Sequence, residues 1–243
     1  MRSLSGAFNI MQLESLLHQL FGQAHDIQTD GDFVHGTAAF DGVPISVVGT
    51  TNHAAIGFAL ALAQARVVLD TVARHPGRPL MLLIDTQGQQ MHRRDELLGI
   101  NRAMAHLGSA IDLARRCGHR VIGLVYDQAL SGGFITSGLI ADACYALPEA
   151  EIRVMRIPAM SRITKISEQR LNALSKDNPV FAPGVDNYYS MGGLRAVWSG
   201  DLAAALREAL LTSPVEDTRA VDGQVRGGRQ VAAVVTQRVL DAD

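Results

Sequence analysis

The chain has 243 residues, 47% of them hydrophobic, and a formal net charge of −2. That length and apolar content support a single α/β core, residues 1–243. The near-neutral balance and the scattered lysines and arginines leave no basic footprint for nucleic acid and no patch for a membrane surface. Cys117 and Cys144 stand far apart in unlike contexts, which predicts free thiols in a reduced, cytoplasmic protein. Residues 1–10 lack a charged stretch followed by an apolar one, so no secretory signal is expected. The most apolar run, residues 54–63, is about half the length a bilayer span requires.

Residues 1–30 form an N-terminal helical segment. In it Leu13, Leu16, Leu17 and Leu20 recur at helical spacing, one apolar face of an amphipathic helix. Residues 33–40 and 45–49 read as strands joined by Asp41-Gly42, a hairpin turn pair. An Ala-rich helix is predicted over residues 54–74, with Thr51 or Asn52 as its N-cap and Pro76-Gly77 as its end. Residues 80–84 are continuously apolar, as in a strand buried on both faces. They run into Asp85-Thr86-Gln87-Gly88-Gln89-Gln90, which reads as a polar loop.

A helix is expected over residues 95–117. Leu97, Ile100, Met104, Leu107, Ile111 and Ala114 form its core face, and Gly118 follows its end. Residues 121–126 repeat the pattern of an apolar strand, here followed by Asp127 to Gly133 and a helix over residues 134–141. Two short strands, residues 144–147 and 152–155, flank Pro148-Glu149-Ala150-Glu151. Residues 160–243 form a C-terminal helical region, with helices over residues 163–176, 201–211 and 230–240 and a polar surface loop over residues 213–229. Tyr188, Tyr189 and Trp198 cluster between two of these helices, a composition that favours an interface.

Two glycine-bearing corners carry the candidate chemistry. Gly132 and Gly133, where a strand turns into a helix, present backbone N–H groups with no side chain in front of them. The helix start behind them adds positive partial charge. Such a corner serves either tight packing or a developing oxyanion. Ser131 is placed to cap the helix, and no G-x-S-x-G elbow surrounds it. Gly88, flanked by Gln87 and Gln89, offers a second bare backbone with neutral amides beside it. Asp85 is placed to receive backbone N–H groups at its strand end. The eight histidines show no H-x-x-x-H or H-E-x-x-H spacing, so no metal site is expected. His53 alone adjoins a candidate loop. Glu149 and Glu151 flank a turn and offer acid/base work only if desolvated. Arg93-Arg94 would meet an anionic ligand or solvent.

In combination, these residues carry a family likeness. The order strand, Asp85-Thr86-Gln87-Gly88, long helix, strand, Ser131-Gly132-Gly133-Phe134, helix, then Ala143 through Met155, resembles the carboxyltransferase branch of the crotonase superfamily. That branch has a D-T-P-G-like loop, a G-G corner and a W-P-x-A-x-I-x-V-M-like strand pair. The chain is more closely similar to the gamma subunits of biotin-independent malonate decarboxylases. The likeness rests on Thr51-Asn52-His53-Ala54-Ala55-Ile56-Gly57, on Arg93-Arg94-Asp95-Glu96-Leu97-Leu98-Gly99-Ile100-Asn101, on Tyr126 through Gly138, on Phe181-Ala182-Pro183-Gly184-Val185 and on Gly200-Asp201-Leu202. It extends over residues 13–211.

The resemblance implies a crotonase-like β-β-α spiral with flanking C-terminal helices. It implies a decarboxylase complex that removes CO2 from a malonyl thioester. The partners would be a beta subunit, an acyl-carrier protein bearing a phosphoribosyl-dephospho-CoA arm, and an acyl-carrier transferase subunit, with no cofactor bound directly to this chain. Gly132 and Gly133, with Gly88 and Gln89 beside them, would form its oxyanion hole; Ser131, Gln87, Phe134 and His53 would face the substrate. Two departures stand near that site. Gln87 replaces the proline of the D-T-P-G loop, and Arg153 occupies a position where the family commonly has glycine.

Overall fold

The structure, a computed structural model, describes residues 5–177, 183–214, 216–229 and 231–242. The elements are α1 (Ser5–Phe21), β1 (Gln28–Asp30), β2 (Phe33–Phe40), β3 (Val43–Thr50), β4 (Ala54–Ile56), α2 (Phe58–Arg74), β5 (Leu80–Gln89), α3 (Arg93–Leu98), α4 (Ile100–Arg116), β6 (Val121–Leu130) and α5 (Ser131–Ile135). A 3-10 turn (Gly138–Ile140) follows, then β7 (Ala143–Ala146), β8 (Glu151–Arg153), α6 (Ile157–Thr164), α7 (Glu168–Asp177), α8 (Val185–Ser190), β9 (Ala196–Val197), α9 (Leu202–Thr212), α10 (Arg219–Val225) and α11 (Ala232–Leu240).

One sheet runs β1-β2-β3-β5-β6-β7-β9, with β4 added beside β5 and β8 beside β6. The β2–β3 hairpin is antiparallel and turns on Asp41 and Gly42, both with positive φ, as a two-residue I′ turn requires. From β3 onward the pairings are parallel, because helices carry the chain back between strands.

Alternation along the central strands divides the core in two. Met81, Leu83, Ile122, Leu124 and Tyr126 face α1 and α9, where Leu13, Leu16, Leu17, Leu20, Leu202 and Leu206 meet them. Leu80, Leu82 and Val121 face α2 and α4, against Ala65, Val68, Leu107 and Ile111. At the strands' C-terminal ends Ile84, Val125 and Ala129 pack on Phe134 and Tyr188. The result is the crotonase-like α/β architecture that the sequence led us to expect, with helices on both faces of a mixed sheet.

Several boundaries differ from expectation. Residues 54–56 are strand β4 rather than helix, since they pair with β5. Helix α2 therefore starts after Gly57, and neither Thr51 nor Asn52 caps it. Its first N–H, on Phe58, donates to Asp95 Oδ1 at 2.7 Å. Of the polar loop expected over residues 85–90, residues 85–89 extend β5, and residues 127–130 likewise extend β6; β4 and β8 hold these extensions. Gly99 (φ 83) splits the expected helix into α3 and α4, which turns Leu97 out to 76% exposure. Strands β7 and β8 do not pair with each other; both lie parallel along β6. The loop expected over residues 213–229 contains α10, and β9 interrupts the C-terminal helical region. Tyr188 and Trp198 are buried within this chain rather than presented to a partner; only Tyr189 is exposed. Phe181 and Ala182 lie outside the described residues.

Candidate active site

The chemistry gathers where β5 and β6 end. Beyond Ile84 and Val125 the β5–β6 ladder breaks and resumes at Thr86 and Ala129. Three residues of β6, Tyr126 to Gln128, therefore stand opposite Asp85 alone. A bulge of this kind re-aims side chains while the flanking pairs stay in register.

The two glycine corners meet on one side of this break. A Cβ placed on Gly133 would stand 2.9 Å from Thr86 Oγ1 and 3.1 Å from Gly88 Cα, so only glycine permits this approach. Gly88 itself has φ 101. Thr86 fixes the corner: its hydroxyl donates to Ala54 O at 2.7 Å and accepts the Gly88 N–H at 2.9 Å. The Gly88 N–H is thus engaged within the chain. Gly132 and Gly133 are the second and third residues of α5, whose first-turn N–H groups have no intrahelical acceptor. Gln89 stands beside them, with its Oε1 3.8 Å from where a Gly132 Cβ would be and its Nε2 donating to Glu96.

Ser131 does not act as a side-chain cap; it is the first helical residue, with φ 53. Such a left-handed conformation is uncommon for serine and marks a constrained strand-to-helix turn. Gln87 is exposed. Phe134, expected to face the substrate, is instead 1% exposed; its ring packs 6.0 Å from Tyr188 and supports the turn from beneath. Ser137 is also internal, donating its hydroxyl to Gly133 O.

On the opposite side of the break is a group that no spacing in the sequence revealed. His53 Nε2 stands 3.1 Å from Asp127 Oδ2 and 3.8 Å from Asp85 Oδ1. The His53 backbone N–H donates to Asp85 Oδ2 at 2.8 Å, the strand-end role expected of Asp85. Asn52 and His53 are consecutive residues with φ 58 and 50, and this tight turn carries the imidazole back over the carboxylates. Asp85 is fully buried, and burial raises its pKa to about 6 despite the opposing bond and charge of His53. Tyr126 donates its hydroxyl to Thr50 O beside this group, and burial keeps it a phenol. The same tyrosine lines a cavity of about 620 Å³ with Leu16, Leu147, Pro148, Glu149 and Trp198.

The remaining candidates are accounted for by their neighbours. Glu151 is held by Arg153 and Arg156 and receives Gln128 Nε2, and these partners outweigh desolvation to lower its pKa, the wrong direction for a general acid. Arg153, at the position where the family commonly has glycine, is thereby paired with Glu151 within β8. Glu149, Arg93 and Arg94 are exposed. Cys117 and Cys144 are both free thiols, and burial pushes Cys144 up to about 12.

The sequence profile of the malonate decarboxylase gamma subunit matches residues 51–243. The chain belongs to that family. The gamma-subunit fold is matched along nearly its full length by a Pseudomonas malonate decarboxylase hetero-tetramer in complex with coenzyme A, with a TM-score of 0.79, 26% identity, and coverage of 96% of this chain and 99% of that one. A Pseudomonas MdcD-MdcE hetero-dimer gives 0.75 and 26%, over 95% and 98%. A malonyl-S-ACP:biotin-protein carboxyltransferase, MADD of Malonomonas rubra, is 39% identical over 120 residues, 48% of this chain. That match spans only 41% of the relative's own length. Transcarboxylase 12S shares the fold alone, at 20% identity and a TM-score of 0.70 over 83% of this chain and 41% of that one. Among the described residues no helix is long and apolar enough to cross a membrane.

Proposed function

We propose that this gamma subunit supplies one oxyanion hole to a two-subunit decarboxylase that removes CO2 from a malonyl thioester. The observation that carries the reading is the contact between the Gly88 and Gly132-Gly133 corners, which leaves side-chain-free N–H groups at the start of α5. Breaking the bond between the carboxylate carbon and the methylene carbon sends an electron pair onto the thioester carbonyl oxygen, giving an enolate. A proton then adds to the methylene carbon, and acetyl thioester results. The reaction needs fixed donors where negative charge develops and no nucleophile, and each such donor is worth roughly 3 kcal/mol. That demand suits Gly132 and Gly133, with Gln89 beside them and Ser131 and Gln87 at the rim.

The thioester would be carried by an acyl-carrier protein on a phosphoribosyl-dephospho-CoA arm, loaded by an acyl-carrier transferase subunit. Catalysis would be independent of biotin, and a beta subunit would close the site from outside. The hetero-dimeric assembly of the Pseudomonas relative supports the beta partner. The apolar side chains that α10 and α11 leave exposed, Val221, Val225, Val234, Val235, Val239 and Leu240, also suit a protein surface.

The test is a pair of substitutions at Gly132, where an added Cβ meets nothing nearer than 3.8 Å. Gly132→Ala keeps the N–H and Gly132→Pro removes it. In the complex with its beta subunit, Ala should retain decarboxylation within about threefold and Pro should lose about 100-fold. Equal activity in the two, at wild-type assembly and Tm, would sink the assignment.

A further inference from the structure

We infer that His53, Asp85 and Asp127 form a binding site for one divalent first-row transition ion, such as Zn2+ or Mn2+. The first observation is geometric. One ring nitrogen of His53 and one carboxylate oxygen from each aspartate all lie within 4.8 Å of one another. With metal–ligand bonds of about 2.0–2.2 Å, neighbouring ligands around a tetrahedral ion stand about 3.3 Å apart. The observed 3.1 Å and 3.8 Å from His53 Nε2 to the two carboxylates bracket that edge.

The second observation is independent of those spacings. Asp85 is 0% exposed, and its Oδ1 has no hydrogen-bond partner although Oδ2 takes the His53 N–H. A buried carboxylate oxygen left unpaired is costly, and the group it faces is the place to look for its partner. Among the described residues the one basic side chain within ion-pair distance of either aspartate is His53 itself. Two carboxylates on one imidazole leave the cluster short of positive charge, which a divalent ion supplies. His53 and Asp127 are only partly buried, with side chains 40% and 23% exposed, so an ion has a path in and room for water to complete its shell.

The donor set narrows the ion. An imidazole favours Zn2+ over Mg2+ and Ca2+, and two carboxylates keep Mn2+ in contention. The ion would join β5, β6 and the β3–β4 turn through residues 32 and 74 positions apart from His53. Thr86 meets Gly133, and its neighbour Asp85 points to the other face of β5, so the inference stands apart from the oxyanion assignment.

The full-length chain, stripped with a chelator and desalted, should be titrated calorimetrically with Zn2+ and with Mn2+ at neutral pH. We expect one equivalent of at least one of these ions to bind, with affinity reduced about tenfold or more in Asp127→Asn and in His53→Ala. Both positions are partly exposed, and the stripped variants should keep wild-type circular dichroism and Tm; Asp85→Asn is a third arm because that residue also holds the His53 backbone N–H. Absence of a one-to-one isotherm tighter than about 100 µM for both ions would overturn the inference. So would binding that is unchanged in both variants, which would place the ion on other surface histidines. A His53 held simply by its contacts with the two carboxylates gives the first of these results.

Discussion

Gly133 and Gly88 touch backbone to backbone although they belong to different strand-to-helix units: a Cβ on the first would lie 3.1 Å from Cα of the second and 2.9 Å from Thr86 Oγ1. Backbone cannot yield as a flexible side chain can. Gly133→Ala is therefore expected to destabilise the chain by about 1–3 kcal/mol, whereas Gly132→Ala leaves stability near wild type. Paired urea titrations of the two variants check this; equal midpoints would show that the corner is looser than its geometry.

Asp85 gives the stability a readable pH dependence. Its folded pKa of about 6 lies above the ordinary value of 3.8. Between those values the folded chain keeps a proton that the unfolded chain has lost, so the contribution of Asp85 falls as pH rises through that window. It is flat above about pH 7. In the chelator-treated protein, stability relative to Asp85→Asn should decline by up to about 3 kcal/mol between pH 4 and pH 7. Chemical denaturation of both proteins across that range makes the comparison. A difference independent of pH would mean that the carboxyl titrates normally.

Asp95 caps a helix that is distant in sequence. Replacing it with alanine removes the acceptor for the Phe58 N–H and should cost about 1 kcal/mol. Asp95→Asn keeps one oxygen and should recover most of the loss. The measurement is Tm for both variants, and identical losses would deny the capping role.

Phe134 separates packing from substrate contact. Phe134→Ala opens a cavity against Tyr188 and Ile84 and should cost about 3–5 kcal/mol. Phe134→Leu retains most of the volume, and decarboxylation by the assembled complex is expected within a few-fold of wild type. Loss of activity in Phe134→Leu without loss of Tm would return this ring to the substrate.

Asp142 ties α4 to the start of β6. Its carboxylate takes Arg115 Nε and the Val121 N–H, both at 2.8 Å. Asp142→Ala leaves two donors unpaired at the entry to β6 and should cost about 3 kcal/mol. Asp142→Asn, which still presents one acceptor, should cost less in the same titration.

Local chemistry was legible wherever it acted locally. The Asp41-Gly42 turn, the apolar strands at residues 80–84 and 121–126, and the leucine face of α1 all appear as the residues indicate. The failures share a cause. Ala54 to Ile56 look helical because they are rich in alanine, and Asp85 to Gln89 look like a loop because they are polar, yet each is strand because the other lies beside it. Leu97 fits a helical stripe until Gly99 breaks the helix. The glycine corners could be picked out one at a time, but their contact could not. The partnership of His53 with Asp85 and Asp127 was invisible because parallel crossovers, rather than spacing, bring them together. An aspartate just past the apolar run of each of two neighbouring buried strands is the available signal.

The break between β5 and β6 also bears on how the chain tolerates change in length. Upstream of Asp85 the two strands are locked in register by buried faces, so a deletion there would turn every apolar side chain to the wrong side. Between Val125 and Ala129 the ladder already carries surplus residues, and the pairs on either side are anchored separately by β7 and β8. Slack of this kind lets the end of the sheet be remodelled in sequence and in reach while its buried half stays fixed. In this chain both groups of functional interest are placed at that joint.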